Sequence, residues 1–258
     1  MNGDVAPEVS LVTLRRLSET RRHYGTAAAV RWLTARGLEK AIRLEVNSLV
    51  CLDRKRRANA VALPALRPTF ACRFVTPAEI ASFGADPAYD LSPSLAARPT
   101  AGLDYCFGIF EGERLAAYSW YALRSVEGRH HVGVAMSFPA DMAYMYKAFT
   151  HPDYRGNALY GIGVTKALDA LEPRGITRLL SSIERVNFAS RNACRRMGFE
   201  HLGYVRTLGR SDARIAWVPR AARQLGIEFG RRATVADRSV AAGRAALGDG
   251  AQRLRQWR

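Results

Sequence analysis

The chain has 258 residues, of which 48% are hydrophobic, and its 39 lysines and arginines against 23 aspartates and glutamates give a net charge of +16. This composition excludes a disordered chain and allows one sizeable domain with extensions, or two small domains. No apolar run approaches the length of a bilayer-spanning helix, and the polar start Met1–Asp4 is unlike a signal peptide, which predicts a cytoplasmic protein. The four cysteines are widely spaced, without a Cys-x-x-Cys pair or a His at zinc spacing, so neither disulfides nor a metal site is expected.

Positive charge is concentrated at the two ends of the chain. Residues 1–73 carry 14 cationic and 6 anionic residues, residues 74–210 carry 15 and 13, and residues 211–258 carry 10 and 4. A nucleic-acid-binding domain usually gathers its positive charge on the face that meets phosphate. A nearly neutral middle therefore favours an enzyme with basic arms, and nucleic acid is the less favoured partner.

The first arm has the pattern of a basic amphipathic helix. Apolar residues at helical spacing alternate with arginines from Leu11 to Leu38, with a break expected near Gly25. Such a helix either packs against its own domain or lies on an anionic membrane surface, which would place the protein at the inner face of the membrane. Pro64 and Pro68 end this segment, so residues 1–68 are assigned to a basic helical N-terminal extension.

The middle of the chain, residues 69–210, predicts alternating strands and helices. A strand at 71–75 precedes a helix that Thr76 caps, and a hairpin follows around Glu111–Gly112. Met142–Thr150 is apolar on both faces, as in a central strand. A helix that stops at 172–175, a strand at 177–183, a helix at 187–197 and a strand at 199–205 complete an α/β or α+β domain.

The tail, residues 211–258, is basic and lacks a sustained apolar stripe. We expect it to be partly helical or disordered beyond about residue 231.

The segment Thr150–Gly161 joins the central strand to the next helix and contains several small residues. Small residues allow close approach of a ligand to the backbone, and the free amides of a helix N-terminus attract anions. The segment could therefore hold a pyrophosphate with Arg155 nearby, although it has neither a Walker nor a Rossmann pattern. An ordinary tight strand-to-helix turn is the alternative.

Two motifs in order carry a resemblance to a known family. An apolar strand and a proline-containing turn lead to Arg-Gly-x-x-Leu-Tyr at 155–160, and the segment 187–199 begins with Asn and ends with Gly-Phe. Over roughly Phe70 to Gly209 the chain resembles the GNAT N-acetyltransferase superfamily. The resemblance implies an α/β (α+β) fold with a central mixed, largely antiparallel sheet flanked by helices. Here that domain would carry the basic N-terminal extension and the basic C-terminal tail.

The resemblance also implies a site for acetyl-CoA or another acyl-CoA. Main-chain groups of Ala148, Phe149 and Thr150 would lie beside the acyl-pantetheine arm and donate to the thioester carbonyl. Asn187 would hydrogen-bond the same arm, and it would also serve as the N-cap of the following helix. The residues expected around the pyrophosphate are Arg155, Gly156, Asn157, Ala158, Leu159 and Tyr160.

The chain departs from the family pattern at three positions. Ala158 and Tyr160 stand where the family often has glycine. Cys194 stands where many members have a tyrosine that protonates the leaving thiolate. Cys194 could supply that proton, and packing of a small residue between helix and sheet explains it as well.

An amine acceptor must lose a proton before it attacks a thioester, so a base or a water relay is needed. The candidate bases are Tyr146, Tyr144, His151 and Glu184. Tyr146 is chosen as the catalytic base, and Cys194 is the candidate acid.

The resulting prediction is an acyl-CoA-dependent acyltransferase that transfers acetyl to an amine of a small molecule or glycan precursor by direct attack on the thioester. Hydroxyl acceptors, other acyl lengths and the oligomeric state are left open. The alternative is a catalytically inactive protein of the same fold that binds nucleic acid or a membrane surface.

Overall fold

The computed structural model describes residues 11–42, 44–55, 63–91, 104–126, 134–209 and 215–230. The helices are α1 (Leu11–Tyr24), α2 (Thr26–Ile42), α3 (Pro77–Gly84), α4 (Leu159–Leu171), α5 (Phe188–Arg196) and α6 (Arg220–Gln224). The strands are β1 (Leu44–Asp53), β2 (Phe70–Phe74), β3 (Asp104–Glu111), β4 (Arg114–Leu123), β5 (Ser125–Val126), β6 (Ala135–Ser137), β7 (Met142–Thr150), β8 (Arg178–Glu184), β9 (Glu200–Leu208), β10 (Ile215–Trp217) and β11 (Glu228–Gly230).

Eight strands form one large sheet in the order β10-β9-β1-β8-β7-β4-β3-β2, and β11, β6 and β5 form a small second sheet. Neighbouring strands of the large sheet are antiparallel, except for the parallel pair β7 and β8. Helices cover both faces of this sheet. The predicted fold, a mixed and largely antiparallel sheet flanked by helices, is therefore confirmed.

The central position predicted for Met142–Thr150 is also confirmed, because β7 lies between β4 and β8 with apolar residues on both faces. On one face Met145 belongs to a core that includes Leu168 of α4 and Cys194 of α5. On the other face Tyr144 belongs to a core that includes Ile80 of α3.

The ends of the helices follow from local chemistry. The side chain of Thr76 accepts from the Glu79 amide, and the Glu79 carboxylate accepts from the Thr76 amide, which is a capping box at the start of α3. Helix α4 ends at Leu171, as predicted, before Gly175 takes a left-handed φ of 79°. Gly25 separates α1 from α2 with a φ of 85°, so the predicted break in the first arm is confirmed.

Strand β1 comes from the segment assigned to the N-terminal extension, yet it lies inside the large sheet. Its residues pair with β8 from Asn47–Glu184 to Asp53–Arg178, and with β9 on the other side. Strand β10 of the tail likewise pairs with β9 at the edge. The expected boundaries near residues 68 and 210 thus separate segments that share one sheet. The expectation for residues beyond 231 lies outside the described residues.

Among the described residues, no helix combines the length and the apolar character needed to cross a membrane.

Candidate active site

The central strand β7 contains a β-bulge at Tyr146. Lys147 pairs with Trp120 of β4, and Met145 pairs with the next residue, Tyr121, so Tyr146 has no partner of its own. A bulge of this kind bends the strand that carries it. The bend falls where β7 and β8 separate.

The parallel ladder between β7 and β8 extends only from Met142–Arg178 to Met145–Ser181, although both strands continue. At its last rung the Ser181 hydroxyl donates to the Met145 carbonyl oxygen over 3.0 Å. Beyond this point no described strand pairs with the edge of β7 that faces β8. The sheet is therefore split open at the carboxyl ends of its two parallel strands.

The direction of the backbone groups at this opening follows from the ladder with β4. The His151 amide donates to the Ala116 carbonyl oxygen over 2.9 Å. Because hydrogen-bonded positions alternate along an antiparallel pair, the backbone groups of Phe149 also face β4. The amides of Ala148 and Thr150 then face the opening. The Phe149 side chain stacks on Tyr118, with ring centroids 5.4 Å apart.

A compact turn connects β7 to α4 at the same end of the sheet. One 3-10 turn, Pro152–Tyr154, precedes Gly156 with a φ of 87° and Ala158 with a φ of 55°. Ala158 is the N-cap of α4 without a side-chain cap, so the first-turn amides of α4 have no partner within the helix. The positive end of the helix dipole and these amides suit an anion.

The side chains of this turn hold it in place. Arg155 Nε donates to the Thr150 carbonyl oxygen over 3.4 Å. The Asn157 amide nitrogen donates to the Tyr154 carbonyl oxygen over 3.1 Å, and its oxygen accepts from Arg67 over 3.3 Å. Arg155 therefore lies at the junction of the opening and the turn, while the Asn157 side chain is occupied in stabilising the turn.

Tyr160 and Cys194 meet beneath this turn. The Tyr160 hydroxyl lies 3.6 Å from Cys194 Sγ, and Cys194 is 1% exposed. Burial raises the pKa of the Cys194 thiol to about 11. Burial also raises the pKa of Tyr160 well above its ordinary value. Both groups remain protonated at neutral pH, and the Tyr160 side chain points into the core between α4 and α5.

Tyr146 lies on the opposite face of the sheet. Its hydroxyl donates to Asp104 Oδ2 over 3.2 Å, and both residues are buried. The Trp120 ring lies 6.2 Å from the Tyr146 ring, and among the described residues its buried Nε1 has no hydrogen-bond partner. This is a polar group of three residues within an otherwise apolar core. The sequence did not single out Asp104, because a lone acid at a strand start has no distinguishing pattern.

The other candidate bases have different surroundings. Tyr144 is 1% exposed, and burial raises its pKa. His151 Nδ1 accepts from the Asp153 amide over 3.4 Å. Glu184 forms a 2.7 Å ion pair with Arg36 of α2. Each of these groups is thus engaged in the core, in the turn or with the N-terminal helices.

Asn187 is the N-cap of α5, because its side chain accepts from the Ser190 amide over 3.1 Å. The structure therefore brings Ala148, Thr150 and Arg155 together at one end of the sheet, with Asn187 following β8. Tyr146 belongs to the core on one face of the sheet and Cys194 to the core on the other.

The split between β7 and β8, the glycine-containing turn and the uncapped start of α4 all lie at one end of the sheet. Residues 76–199 match the family model described as the acetyltransferase (GNAT) family. The match covers 124 of the 258 residues and confirms the resemblance over this range. Helices α1 and α2 and strand β1 lie outside the matched range.

Solved structures described as acetyltransferases are similar at low identity. A putative GNAT acetyltransferase from Novosphingobium aromaticivorans is 17% identical, with a TM-score of 0.42 over 65% of this chain and 64% of that one. A GCN5-related N-acetyltransferase from Kribbella flavida is 13% identical, with a TM-score of 0.44 over 76% and 72%. A predicted acetyltransferase from Clostridium acetobutylicum, solved with acetyl-CoA, is 14% identical, with a TM-score of 0.37 over 51% and 90%. The chain thus spans less than two thirds of the first of these proteins. No curated protein sequence matches it significantly.

Proposed function

We propose that the protein is an acyl-CoA-dependent acyltransferase that transfers acetyl from acetyl-CoA to an amine of a small molecule or a glycan precursor. The observation that carries this proposal is the opening between β7 and β8, where the ladder stops at Met145–Ser181 while both strands continue. An extended pantetheine arm has amide groups that can pair with a free strand edge. The Ala148 and Thr150 amides would donate to it and to the thioester oxygen as charge develops there.

The pyrophosphate would lie against the turn at Arg155–Tyr160. Gly156 and Ala158 keep this backbone close to its surface, and the first amides of α4 point out of the helix. Arg155 adds a cation whose guanidinium is already held at the Thr150 carbonyl. Asn187, which follows β8, would provide a polar contact to the pantetheine arm.

The proton of the acceptor would leave through Tyr146. Its hydroxyl already donates to Asp104, so it can accept a proton from the ammonium group while its own proton moves towards the carboxylate. The amine then attacks the thioester carbon, and the carbon–sulfur bond breaks. The departing thiolate would take a proton from Cys194, which keeps its proton at neutral pH and contacts the Tyr160 hydroxyl.

The donor site can be tested by thermal shift and calorimetry with acetyl-CoA, longer acyl-CoAs and CoA. A ligand at 100 times its dissociation constant stabilises a protein by about 2.7 kcal/mol. We expect this stabilisation in the wild type, a smaller one in Arg155→Ala, and an unchanged one in Arg206→Ala, which removes an exposed arginine from β9. Absence of a shift with every CoA would contradict the proposal. Release of free CoA with a panel of amines and amino sugars would then identify the acceptor.

A second candidate function, contact with an anionic membrane, is favoured by exposed apolar residues of α2. Leu33 and Ile42 are 48% and 51% exposed on a helix that belongs to the basic arm. Co-sedimentation with anionic and zwitterionic vesicles should compare Leu33→Glu/Ile42→Glu with Ile215→Glu, which changes an exposed residue of β10. Loss of binding only in the α2 variant would support this function, and equal binding of all proteins would contradict it. Truncation near Pro68 is unsuitable, because it removes β1 from the sheet.

A further inference from the structure

A cleft of about 660 Å³ lies between α2, the start of β1, the end of β8 and the first turns of α5. Its volume is in the range of sites for small organic ligands. Ten of its sixteen lining residues belong to α2 and β1, which lie outside the range matched to the family. The cleft therefore forms between the matched domain and the segment that precedes it, and Arg185 and Arg191 belong to the matched range.

One wall of the cleft holds two arginines that contact the same aromatic ring. The guanidinium of Arg185 lies 5.4 Å from the Tyr204 ring centroid, and that of Arg191 lies 5.9 Å from it. Arg191 also donates to the Tyr204 hydroxyl over 3.2 Å and to the Arg185 carbonyl oxygen over 2.9 Å. These contacts fix the direction of Arg191 without neutralising its charge.

Four arginines and two glutamates, Glu45 and Glu184, line the cleft, so its lining carries a net charge of +2. Arg36 is paired with Glu184, but within the described part of the chain Arg31, Arg185 and Arg191 have no carboxylate partner. Two like charges on one ring repel each other, and that cost disappears when an anion lies between them. Burial, and then the Arg191 charge, lower the pKa of the adjacent His201, so this side chain is neutral at pH 7 and does not add to the positive charge.

The opposite wall is apolar. Val30 and Leu38 of α2 contribute exposed apolar side chains, and Phe188 of α5 faces the same cleft. The Phe188 ring is itself held by Tyr24, with centroids 5.4 Å apart. A ligand that fits both walls has a planar or apolar body and one anionic group.

We propose that this cleft binds a phosphate or carboxylate group attached to an apolar or aromatic body, with Arg185 and Arg191 as the anion-binding pair. The site follows from the geometry of the cleft and does not depend on the proposed acyl transfer. The anion can come from two sources: a free small molecule, such as an acidic acceptor, or the 3′-phosphate of coenzyme A.

The test is calorimetry and saturation-transfer NMR on the full chain with phenyl phosphate, phenol, CoA and 3′-dephospho-CoA. We expect phenyl phosphate to bind saturably, phenol to bind more weakly, and Arg185→Gln/Arg191→Gln to weaken phenyl phosphate about tenfold or more, since hydrogen bonds to charged groups are lost. The matched control is Arg195→Gln/Arg196→Gln, which removes two exposed arginines from the same helix outside the cleft. Thr34→Trp fills the cleft without a change in charge and should also abolish binding.

The comparison of CoA, 3′-dephospho-CoA and phenyl phosphate distinguishes the two sources of the anion. Weaker binding of CoA, but not of 3′-dephospho-CoA, in Arg185→Gln/Arg191→Gln assigns the site to the 3′-phosphate. Weaker binding of phenyl phosphate alone assigns it to a free ligand. The proposal is overturned if neither CoA nor phenyl phosphate distinguishes this variant from the Arg195/Arg196 control. Failure of the acyltransferase proposal would leave the phenyl phosphate result unaffected.

Discussion

Replacing Ala148 with proline tests the direction of one amide at the opening of the sheet. Ala148→Pro removes an N–H that faces away from the β4 ladder, so it costs no ladder hydrogen bond, as for proline at a strand edge. If this N–H donates to the thioester oxygen, its loss removes one net hydrogen bond of about 1 kcal/mol, or roughly a fivefold change in affinity. Acetyl-CoA has the thioester carbonyl oxygen, whereas CoA has a free thiol in its place. We therefore expect the dissociation constant of acetyl-CoA to rise about fivefold more than that of CoA.

Titration calorimetry on both ligands gives this ratio, with Ala148→Val as the control that keeps the N–H. Phe149→Pro is the structural counterpart, because it removes a ladder N–H facing β4 and should lower the melting temperature markedly. Equal weakening of acetyl-CoA and CoA in Ala148→Pro would refute the assignment of this amide to the thioester oxygen. Loss of the folded state in Ala148→Pro would refute the alternation from which its direction is derived.

Three further substitutions test other parts of the structure. Gly203→Ala places a Cβ 2.6 Å from Pro219 Cβ at a φ of 121°, so urea unfolding should show a loss of about 3 kcal/mol; a loss below 1 kcal/mol would contradict this packing. The hydrogen bond from the Arg73 side chain lowers the pKa of Glu79 from 4.5 to about 2. The ionised Glu79 therefore stabilises the folded protein above pH 4.5, and this stabilisation is lost as the pH falls towards 2. After allowance for solvent screening, wild type and Glu79→Gln should differ by about 1 kcal/mol at pH 7 and converge near pH 2, and a constant difference would exclude the ion pair as its cause. Cys194→Ala should lower kcat by about 100-fold with an amine found in the screen while Cys194→Ser retains most activity, and equal activity of both variants would assign the residue to packing.

Much of the large sheet could be predicted from the sequence, because local patterns specify it. Met142–Thr150 is apolar on both faces and is the central strand, and Thr76 with Glu79 forms the predicted cap of α3. Gly25 breaks the first arm as expected. In each case the signal is contained in fewer than about ten residues, so no distant contact is needed to interpret it.

The remaining features depend on contacts between distant segments. The apolar run Leu49–Leu52 indicates a strand but not its neighbours, so its insertion between β8 and β9 could not be derived from the pattern. The bulge at Tyr146 appears only in the unequal pairing with β4. The pairing of Tyr146 with Asp104 and the contact between Tyr160 and Cys194 likewise join residues more than 30 positions apart. The pattern of a β-strand indicates which of its residues share a face. The neighbouring strand and the register of pairing depend on the whole sheet.

The place of β1 has a consequence for the synthesis of the chain. Ser48 leaves the ribosome before both of its partners, Ile183 on one side and Tyr204 on the other. More than 130 residues must therefore be made before either edge of this apolar strand can be covered. Closing such long loops slows folding, and an unpaired strand edge invites association with other chains meanwhile. The helices α1 and α2, which precede β1 in the chain, place net positive charge beside this strand, and like charge opposes association between copies of the chain.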